Sequence, residues 1–255
     1  MTRPNSTIVW QNPASLPKLT TDGVHIWRAN LDLPRAEIEK LSNLLREDEL
    51  ARANKFRFLE HKNNFIAARG ILRRLLGHYL NIEPQNIKFD YGDRGKPRLR
   101  QTKSPTSLEF NISHSQKYAL FGFACDRIVG VDLEYLREMK DAVKIARRFF
   151  SDREFESIAN LDVSQQARVF FQLWTAKEAY LKAIGVGLAG SLANIEIILE
   201  RSGNAKIWAI DSDRSKAQDW SMLSCIPERD YTAAIAIYTP LIEPQIDFWS
   251  WSPNF

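Results

Sequence analysis

The sequence predicts an α+β fold built from two similar halves. Short stretches rich in β-branched and aromatic residues, typical of strands, are interspersed with longer segments whose apolar residues recur with a helical period. A segment near residue 70 is repeated near residue 180, which indicates that the two halves share a pattern. We therefore expect two related units, 1–125 and 126–255, joined near Cys125-Asp126-Arg127, with a ligand cleft between them.

The elements can be placed in order along the chain. Strands are predicted where β-branched and aromatic residues cluster: Val24–Ala29, Ile87–Tyr91, Ala119–Ala124, Ile128–Leu133, Ile195–Leu199, Ala205–Ile210 and Tyr231–Tyr238. Helices are predicted where apolar residues recur every three or four positions: Arg35–Leu45, Glu47–Lys55, His61–Leu80, Met139–Arg148 and Val163–Ile184. The aromatic tail, Asp247–Phe255, is expected to pack back onto the body.

The internal repeat supports the division into halves. Ala68–Gly77 aligns with Ala176–Gly185 at an offset of 108 residues, with matching first Ala, basic positions and terminal Gly. A shorter match, Ala53–Phe56 with Ala146–Phe149, precedes it at an offset of 93. Chance similarity between two amphipathic helices is the alternative, because apolar patterning is degenerate.

Composition limits the class of protein. The 255 residues, with 44% hydrophobic and 26% charged side chains, are ordinary for a globular chain. Two cysteines cannot build a disulfide framework, and neither a signal core nor an apolar run long enough for a bilayer is present, so we expect a cytoplasmic protein. The net charge of +4 is spread along the chain, which favours discrete anion sites over nucleic acid or membrane partners.

Three carboxylates in two segments suggest a cation site. In Gly130-Val131-Asp132-Leu133-Glu134, strand alternation places the Asp132 and Glu134 side chains on one face. In Trp174–Lys182, the helical period places Glu178 and Lys182 on one stripe. Oxygen ligands select hard cations, and Mg²⁺ typically combines one or two carboxylates with substrate phosphate. The alternatives are a solvated strand end and an ordinary surface ion pair between Glu178 and Lys182.

A third segment supplies groups that suit a phosphate. Gly95 permits a tight turn and Pro97 stiffens it, so Lys96 can be held at a fixed angle. Ser113 and His114 follow a short strand and offer a hydroxyl and an imidazole. Each of these residues also has an ordinary structural role, but together they favour a bound phosphate.

These segments, in this order, resemble the surfactin-type 4′-phosphopantetheinyl transferases. The matching blocks are Gly95-Lys96-Pro97, Phe110–Ser115, Gly130–Glu134 and Trp174–Lys182. The resemblance implies two pseudo-twofold-related halves, each a small antiparallel-rich sheet packed with helices, in a monomer. It also implies transfer of the phosphopantetheine arm of coenzyme A to a serine of an acyl or peptidyl carrier protein, with release of adenosine 3′,5′-bisphosphate.

By that resemblance, each candidate residue has an expected role. Asp132, Glu134 and Glu178 hold Mg²⁺, for which Mn²⁺ could substitute, and Glu178 accepts the serine proton directly or through water. Lys182 and His114 contact the pyrophosphate and are catalytic with Glu178. The remaining coenzyme A contacts, near the adenosine 3′-phosphate in the N-terminal half, are Arg69, Lys96, Pro97 and Ser113.

Recognition of the carrier is assigned to Tyr135–Phe150, which mixes apolar side chains with Lys and Arg and would suit an acidic carrier helix. An ordinary amphipathic helix is the alternative. Two other functions stay open: a Mg²⁺-dependent nuclease or phosphohydrolase, and a coenzyme A-binding protein without turnover. By the resemblance, the carriers belong to fatty-acid, polyketide or nonribosomal peptide synthesis.

Overall fold

The computed structural model describes residues 8–92, 96–100, 107–187, 192–240 and 243–254. The strands are β1 Gly23–Asn30, β2 Phe89–Tyr91, β3 Pro97–Leu99, β4 Leu108–Ser115, β5 Tyr118–Cys125, β6 Val129–Tyr135, β7 Ile195–Leu199, β8 Ala205–Ile210, β9 Trp220–Cys225, β10 Tyr231–Tyr238 and β11 Gln245–Ser250. The helices are α1 Arg35–Ser42, α2 Glu47–Ala53, α3 Leu59–Leu80, α4 Ala142–Phe149, α5 Asp152–Ala159, α6 Val163–Ile184 and α7 Arg214–Ala217. None of the described helices combines the length and apolar character needed to cross a bilayer.

Two principal sheets organise these elements. The first has the order β11-β1-β5-β4 and the second has the order β6-β10-β9. All pairs within them are antiparallel except β1 with β11, which is parallel. Two-stranded ribbons, β2-β3 and β7-β8, complete the described strands. The predicted α+β fold with antiparallel-rich sheets is confirmed.

The sheets pack face to face, and a long helix covers the outer face of each. Side chains of β1 and β5 meet those of β6 and β10 in a core between the sheets, including Ile26, Leu120, Val131 and Ile235. A second core lies between the first sheet and helices α1 and α3. A third lies between the second sheet and helices α4 to α6. Because side chains alternate between the two faces of a strand, each sheet contributes apolar side chains to the shared core between the sheets and to the core beneath its own helices.

The two long helices correspond to each other in a register that differs from the sequence alignment. Helix α3 spans 59–80 and α6 spans 163–184, so equivalent positions are separated by 104 residues, one helical turn less than the predicted 108. The sequence alignment matched Gly77 with Gly185, but Gly77 lies inside α3. The residues that end the helices in left-handed conformation are Asn81 (φ 53°) and Gly185 (φ 79°).

Each half also contains a buried ion pair at equivalent positions. Glu49, in the first turn of α2, lies 2.7 Å from Arg73 of α3. Glu154, in the first turn of α5, lies 2.7 Å from Lys177 of α6. All four side chains are at most 2% exposed. Each glutamate also accepts a hydrogen bond from the backbone N–H at the start of its own helix, so the pair ties a short helix to a long one.

Several elements depart from the sequence prediction. Helices α5 and α7 and strands β3, β9 and β11 were not predicted, and α4 begins at Ala142 instead of Met139. Strand β11, from the 126–255 segment, pairs with β1 of the first sheet, and Trp251 is buried in the core beside α3. The tail therefore packs onto the body as expected. The division at residue 126 stays a proposal, and β11 belongs to the second segment by sequence but to the first sheet by pairing.

Candidate active site

The carboxylates predicted to lie side by side come from β6. Asp132 and Glu134 project from one face of the strand, while Val131 and Leu133 project into the core between the sheets. Asp132 is buried, with 4% of its surface exposed, and Glu134 is half-buried. Asp132 is paired with Ala234, which belongs to the core beneath α6, so the carboxylates lie on the α6 side of the sheet.

A glycine allows α6 to lie directly against β6. A Cβ atom at Gly130 would lie 2.1 Å from the carbonyl oxygen of Ala179 and 2.7 Å from the Cβ of Ala183. Both distances are far below van der Waals contact, so no side chain fits at position 130 unless α6 moves away. This close approach brings the Trp174–Lys182 segment to Asp132, as the sequence predicted.

Lys182 links α6 to the strand. Its Nζ lies 2.5 Å from Asp132 Oδ1 and 2.8 Å from Ser113 Oγ. Ser113 Oγ donates a hydrogen bond to the same carboxylate oxygen at 2.9 Å. The sequence left open a surface pair of Lys182 with Glu178, but the partner of Lys182 is Asp132. Because Ser113 and Asp132 are buried, their contacts fix the position of the partly exposed ammonium group.

Glu178 is the most electrostatically perturbed carboxyl group of the site. It lies one turn before Lys182 on α6, and 7% of its surface is exposed. Burial, and then the charge of Asp132, raise its pKa to about 7. The same two causes raise the pKa of Glu134. Three acidic groups are therefore held close enough to repel one another where little water can screen them.

The donor set fits a hard divalent cation. Asp132 Oδ2 and Glu178 Oε1 are buried and have no hydrogen-bond partner among the described residues. Such oxygens are costly to bury unless a cation binds them, and oxygen donors are those that Mg²⁺ prefers. Across the described part of the chain, no three His, Cys, Asp or Glu side chains form a group that could hold a metal ion without rearrangement or further ligands from substrate. One oxygen of Asp132 is occupied by Lys182, which leaves Oδ2 as the free one.

His114 and Arg52 lie beside this cluster, and Arg52 adds a positive charge there. Ser113 and His114 lie inside β4, which continues to Ser115, and do not follow a short strand as predicted. Although the His114 side chain reaches solvent, desolvation of its imidazole by the surrounding protein lowers its pKa. The charges of Lys182 and Arg52 lower this pKa further. Arg52, on α2, is thus close enough to act electrostatically on the imidazole, a role for which its sequence context gave no signal.

Lys96 and Pro97 lie at the start of β3, and the side chain of Lys96 reaches the end of α6. Lys96 Nζ donates a hydrogen bond to the carbonyl oxygen of Ala183 at 2.8 Å, and burial lowers the pKa of this lysine. Pro97 begins β3 and is paired with Tyr91. Gly95, predicted to form the turn before Lys96, lies outside the described residues.

Arg69 already has protein partners. Its Nε lies 2.9 Å from Glu49 Oε1, its Nη2 donates to the hydroxyl of Tyr91 at 2.8 Å, and its guanidinium lies over the ring of Phe89. Only 7% of the residue is exposed. The contacts of Arg69 thus lie within the N-terminal half and are separate from the contacts that join Lys182 to Asp132.

Two family models match the chain. The one described as the 4′-phosphopantetheinyl transferase superfamily matches residues 128–236, and the one described as 4′-phosphopantetheinyl transferase, N-terminal, matches residues 32–124. The chain is also 44% identical over 241 residues to 4′-phosphopantetheinyl transferase HetI of Nostoc sp., an alignment that covers 94% of each protein.

The chain belongs to the 4′-phosphopantetheinyl transferase superfamily. Two Bacillus enzymes of this family are further relatives. The chain is 31% identical to 4′-phosphopantetheinyl transferase psf-1 of Bacillus pumilus, over 68% of this chain and 72% of that protein. It is 26% identical to 4′-phosphopantetheinyl transferase Sfp of Bacillus subtilis, over 71% of this chain and 78% of that protein. The resemblance inferred from the four sequence blocks is confirmed.

In this phosphopantetheinyl transferase, two polar residues of β4 also contact the carboxylate strand and were not predicted. Asn111 Oδ1 accepts a hydrogen bond from the backbone N–H of Val131, and Ser115 Oγ donates one to Glu134 Oε2. Their signal in the sequence is the polar residue at every second position of Asn111-Ile112-Ser113-His114-Ser115, which places three polar side chains on one face of a strand.

Proposed function

We propose that this chain transfers the 4′-phosphopantetheine arm of coenzyme A to a serine of an acyl or peptidyl carrier protein, with Mg²⁺ as cofactor and adenosine 3′,5′-bisphosphate as the other product. The observation that carries this proposal is the meeting of α6 with β6. In this arrangement Lys182 pairs with Asp132, and one buried oxygen each of Asp132 and Glu178 has no partner within the part of the chain that the structure describes.

Asp132, Glu134 and Glu178 would hold the metal, and Mn²⁺, another hard cation, would substitute for Mg²⁺. The metal would neutralise charge that develops on the pyrophosphate oxygens when the phosphoanhydride bond breaks. Its charge would also relieve the repulsion that raises the pKa values of Glu178 and Glu134.

Lys182 and His114 are proposed to contact the pyrophosphate. The ammonium group of Lys182 is partly exposed and is held in place by Asp132 and Ser113, so a substrate phosphate can reach it without reordering the side chain. Arg52 adds a positive charge near His114, which favours an anion at the same place.

Glu178 is proposed to accept the proton of the carrier serine, directly or through water. In the metal-free protein the pKa of this carboxyl group is about 7, so a bound divalent cation would hold it deprotonated at neutral pH and able to accept a proton. The attacking hydroxyl belongs to the carrier, so this chain supplies no covalent nucleophile.

The adenosine 3′-phosphate is proposed to bind near Arg69, Lys96, Pro97 and Ser113. Lys96 is half-buried at the end of α6, where its remaining N–H donors are available. Arg69 would have to share its guanidinium between the phosphate, Glu49 and Tyr91. We therefore expect Lys96 to contribute more to coenzyme A affinity than Arg69.

The carrier is proposed to dock along Tyr135–Phe150. Leu136 and Met139 are partly buried and, with Phe171, line a cavity of about 390 Å³ that Arg137 and Arg168 border. An apolar groove with positive charge at its rim suits an acidic amphipathic helix. The proposal includes a monomer in a reducing cytoplasm, which the two free cysteines favour.

The test is mass spectrometry of a purified apo carrier protein incubated with coenzyme A, Mg²⁺ and this chain. We expect the carrier to gain the mass of one phosphopantetheine group, and expect no gain when the acceptor serine is replaced by alanine or when a chelator removes the metal. Several unrelated apo carriers should be tried. If none gains mass while a characterised transferase modifies all of them, the proposal is wrong.

A further inference from the structure

Strand β4 joins the two halves through side chains instead of through its backbone. β4 is the edge strand of the first sheet and β6 is the edge strand of the second, and neither is hydrogen-bonded to the other as a ladder. Three polar residues at every second position of β4 face β6: Asn111, Ser113 and Ser115. We refer to these three residues as the polar zipper.

The polar zipper satisfies the free edge of β6. Asn111 Oδ1 accepts from the N–H of Val131 at 3.0 Å, and Ser115 Oγ accepts from the N–H of Tyr135 at 3.1 Å. Between them, Ser113 Oγ accepts from the N–H of Leu133 at 3.3 Å. The three acceptors and the three N–H donors both advance by two residues, so the zipper fixes the register of one half against the other.

Each of the two serines also donates a hydrogen bond to a carboxylate, which the asparagine does not. Ser113 Oγ donates to Asp132 Oδ1, and Ser115 Oγ donates to Glu134 Oε2 at 3.3 Å. Each serine therefore binds a backbone N–H and the carboxylate of the preceding residue with one hydroxyl group, using its lone pair and its proton. The residue before Val131 is Gly130, which carries no carboxylate, so the side-chain oxygen of Asn111 bonds the backbone alone.

We propose that Ser115 is a positioning residue that orients Glu134 for the divalent cation, while Asn111 only joins the two halves. This inference rests on the proposed metal site and extends it to a residue that touches neither metal nor substrate. Hydrogen bonds to a ligating carboxylate commonly change metal affinity by about 10- to 100-fold. A strand-joining contact alone has no such effect on metal affinity.

The experiment compares three variants with the wild type: Ser115→Ala, which removes both hydrogen bonds; Ser115→Thr, which keeps the hydroxyl; and Asn111→Ala, which removes a strand contact only. Mn²⁺ binding to each protein without coenzyme A or carrier is measured by electron paramagnetic resonance. Amide hydrogen exchange at Val131 and Tyr135 reports on the edge of β6.

We expect Ser115→Ala to weaken Mn²⁺ binding about 10-fold and to speed exchange at Tyr135, with both changes reversed in Ser115→Thr. Asn111→Ala should speed exchange at Val131 and leave Mn²⁺ affinity within about 2-fold of wild type, because its contact does not include a carboxylate. Equal Mn²⁺ affinities for wild type and Ser115→Ala overturn the proposal, and so does the absence of Mn²⁺ binding in the wild type.

These measurements also separate this inference from the proposed transfer reaction. Loss of Mn²⁺ affinity in Ser115→Ala without carrier modification by the wild type would support the positioning role and contradict the transfer. Carrier modification by the wild type, with Mn²⁺ affinity unchanged in Ser115→Ala, would support the transfer and contradict the positioning role.

Discussion

Helices α3 and α6 occupy equivalent places in the two halves, and their differences separate scaffold from chemistry. Both are 22 residues long, end in a left-handed residue and bury a basic side chain against a glutamate of the preceding short helix. One residue after that base, α6 carries Glu178 and α3 carries Arg74; four residues further, α6 carries Lys182 and α3 carries His78.

These equivalent residues make different contacts. Arg74 lies 3.0 Å from Glu37 and against the ring of Trp251, and His78 contacts the carbonyl oxygen of Pro17. They hold other segments onto the first half. In α6, by contrast, Lys182 pairs with Asp132, and Asp132 and Glu178 each keep one buried oxygen that has no partner among the described residues. The buried ion pair is thus common to both halves, whereas the residues of the proposed chemistry lie on one of the two helices only, where α6 faces β6.

Replacing Glu178 by glutamine gives the largest expected effect. The amide neither accepts the serine proton nor supplies a charged metal ligand, so we expect transfer to fall by about 10²- to 10⁴-fold with coenzyme A still bound. The matched substitution in α3, Arg74→Gln, should leave the transfer rate within about 3-fold of wild type. Single-turnover rates with one carrier protein measure both. A rate for Glu178→Gln close to wild type would contradict the assigned role.

The shared ion pairs are tested by Glu49→Gln and Glu154→Gln. Removing one partner of a buried pair leaves an uncompensated charge, so each substitution should lower the free energy of unfolding by about 3–5 kcal/mol. Glu49→Gln should cost more, because Glu49 balances both Arg69 and Arg73, whereas Glu154 balances Lys177. Urea denaturation checks the order. Costs below about 1 kcal/mol would show that these pairs do not hold the helices together.

Gly130→Ala tests whether close contact of α6 with β6 is needed. The added methyl group would overlap the backbone of α6, so we expect a loss of about 3 kcal/mol in stability and a fall in transfer rate as Glu178 and Lys182 move from Asp132. At the position of α3 equivalent to Ala183 of α6, the first half carries the much larger Tyr79. Gly92→Ala is the control, since an added Cβ there would contact only the Lys96 carbonyl oxygen, at 3.9 Å.

The sequence predicted both long helices and the facing carboxylates because these depend on local periodicity. Strand β11 was missed because its parallel partner, β1, lies more than 200 residues away in the sequence, and no local pattern indicates that the two strands pair. Helix α5 had a signal that was overlooked: Ser151 and Glu154 have the spacing of a capping box, and the structure contains that box.

The candidate site was predictable where it depends on local periodicity. Alternation in β6 and the helical stripe of α6 identified Asp132, Glu134, Glu178 and Lys182. The exact partner of Lys182 was not predictable, because Asp132 is distant in sequence and a nearer carboxylate, Glu178, lies one turn away. Arg69 was aligned with Lys177 in the predicted repeat, but the residue that shares its buried role is Arg73.

A buried histidine beside the tyrosine of α3 makes the first half sensitive to acid. Tyr79 hydroxyl contacts His25 Nδ1 at 2.8 Å, and burial lowers the pKa of His25 to about 4, an effect that nearby Asp247 partly offsets. The folded state therefore holds His25 neutral, while the unfolded chain takes up a proton below about pH 6.5. Stability from this residue is present above that pH and is lost as pH falls towards 4.

We expect this linkage to cost the wild type about 2 kcal/mol between pH 7.5 and pH 5. His25→Gln should reduce that difference in the free energy of unfolding, measured by urea denaturation, whereas replacement of the exposed His61 by glutamine should not. An unchanged pH dependence in His25→Gln would contradict the assignment. The second half has no histidine within 126–255, so acid sensitivity of this kind separates the halves.

The smallest expected effect concerns how the two helices end. The end of α3 is closed by its own chain, since the N–H of Ile82 donates to the carbonyl oxygen of Gly77 at 3.0 Å. The end of α6 receives an additional donor from the other half, Lys96, on the Ala183 carbonyl oxygen. A lysine that spans both halves at the proposed coenzyme A site can bind substrate and hold the helix end together.

Lys96→Ala separates these two roles. If the ammonium group also binds the 3′-phosphate, coenzyme A affinity should weaken about 10-fold, with little change in the transfer rate at saturating coenzyme A. Loss of the helix contact alone would lower stability by about 1 kcal/mol and leave affinity unchanged. Isothermal titration with coenzyme A and urea denaturation distinguish these outcomes, with the exposed Lys216→Ala as control. Unchanged affinity would confine Lys96 to the helix end and leave the 3′-phosphate to other cations of the N-terminal half.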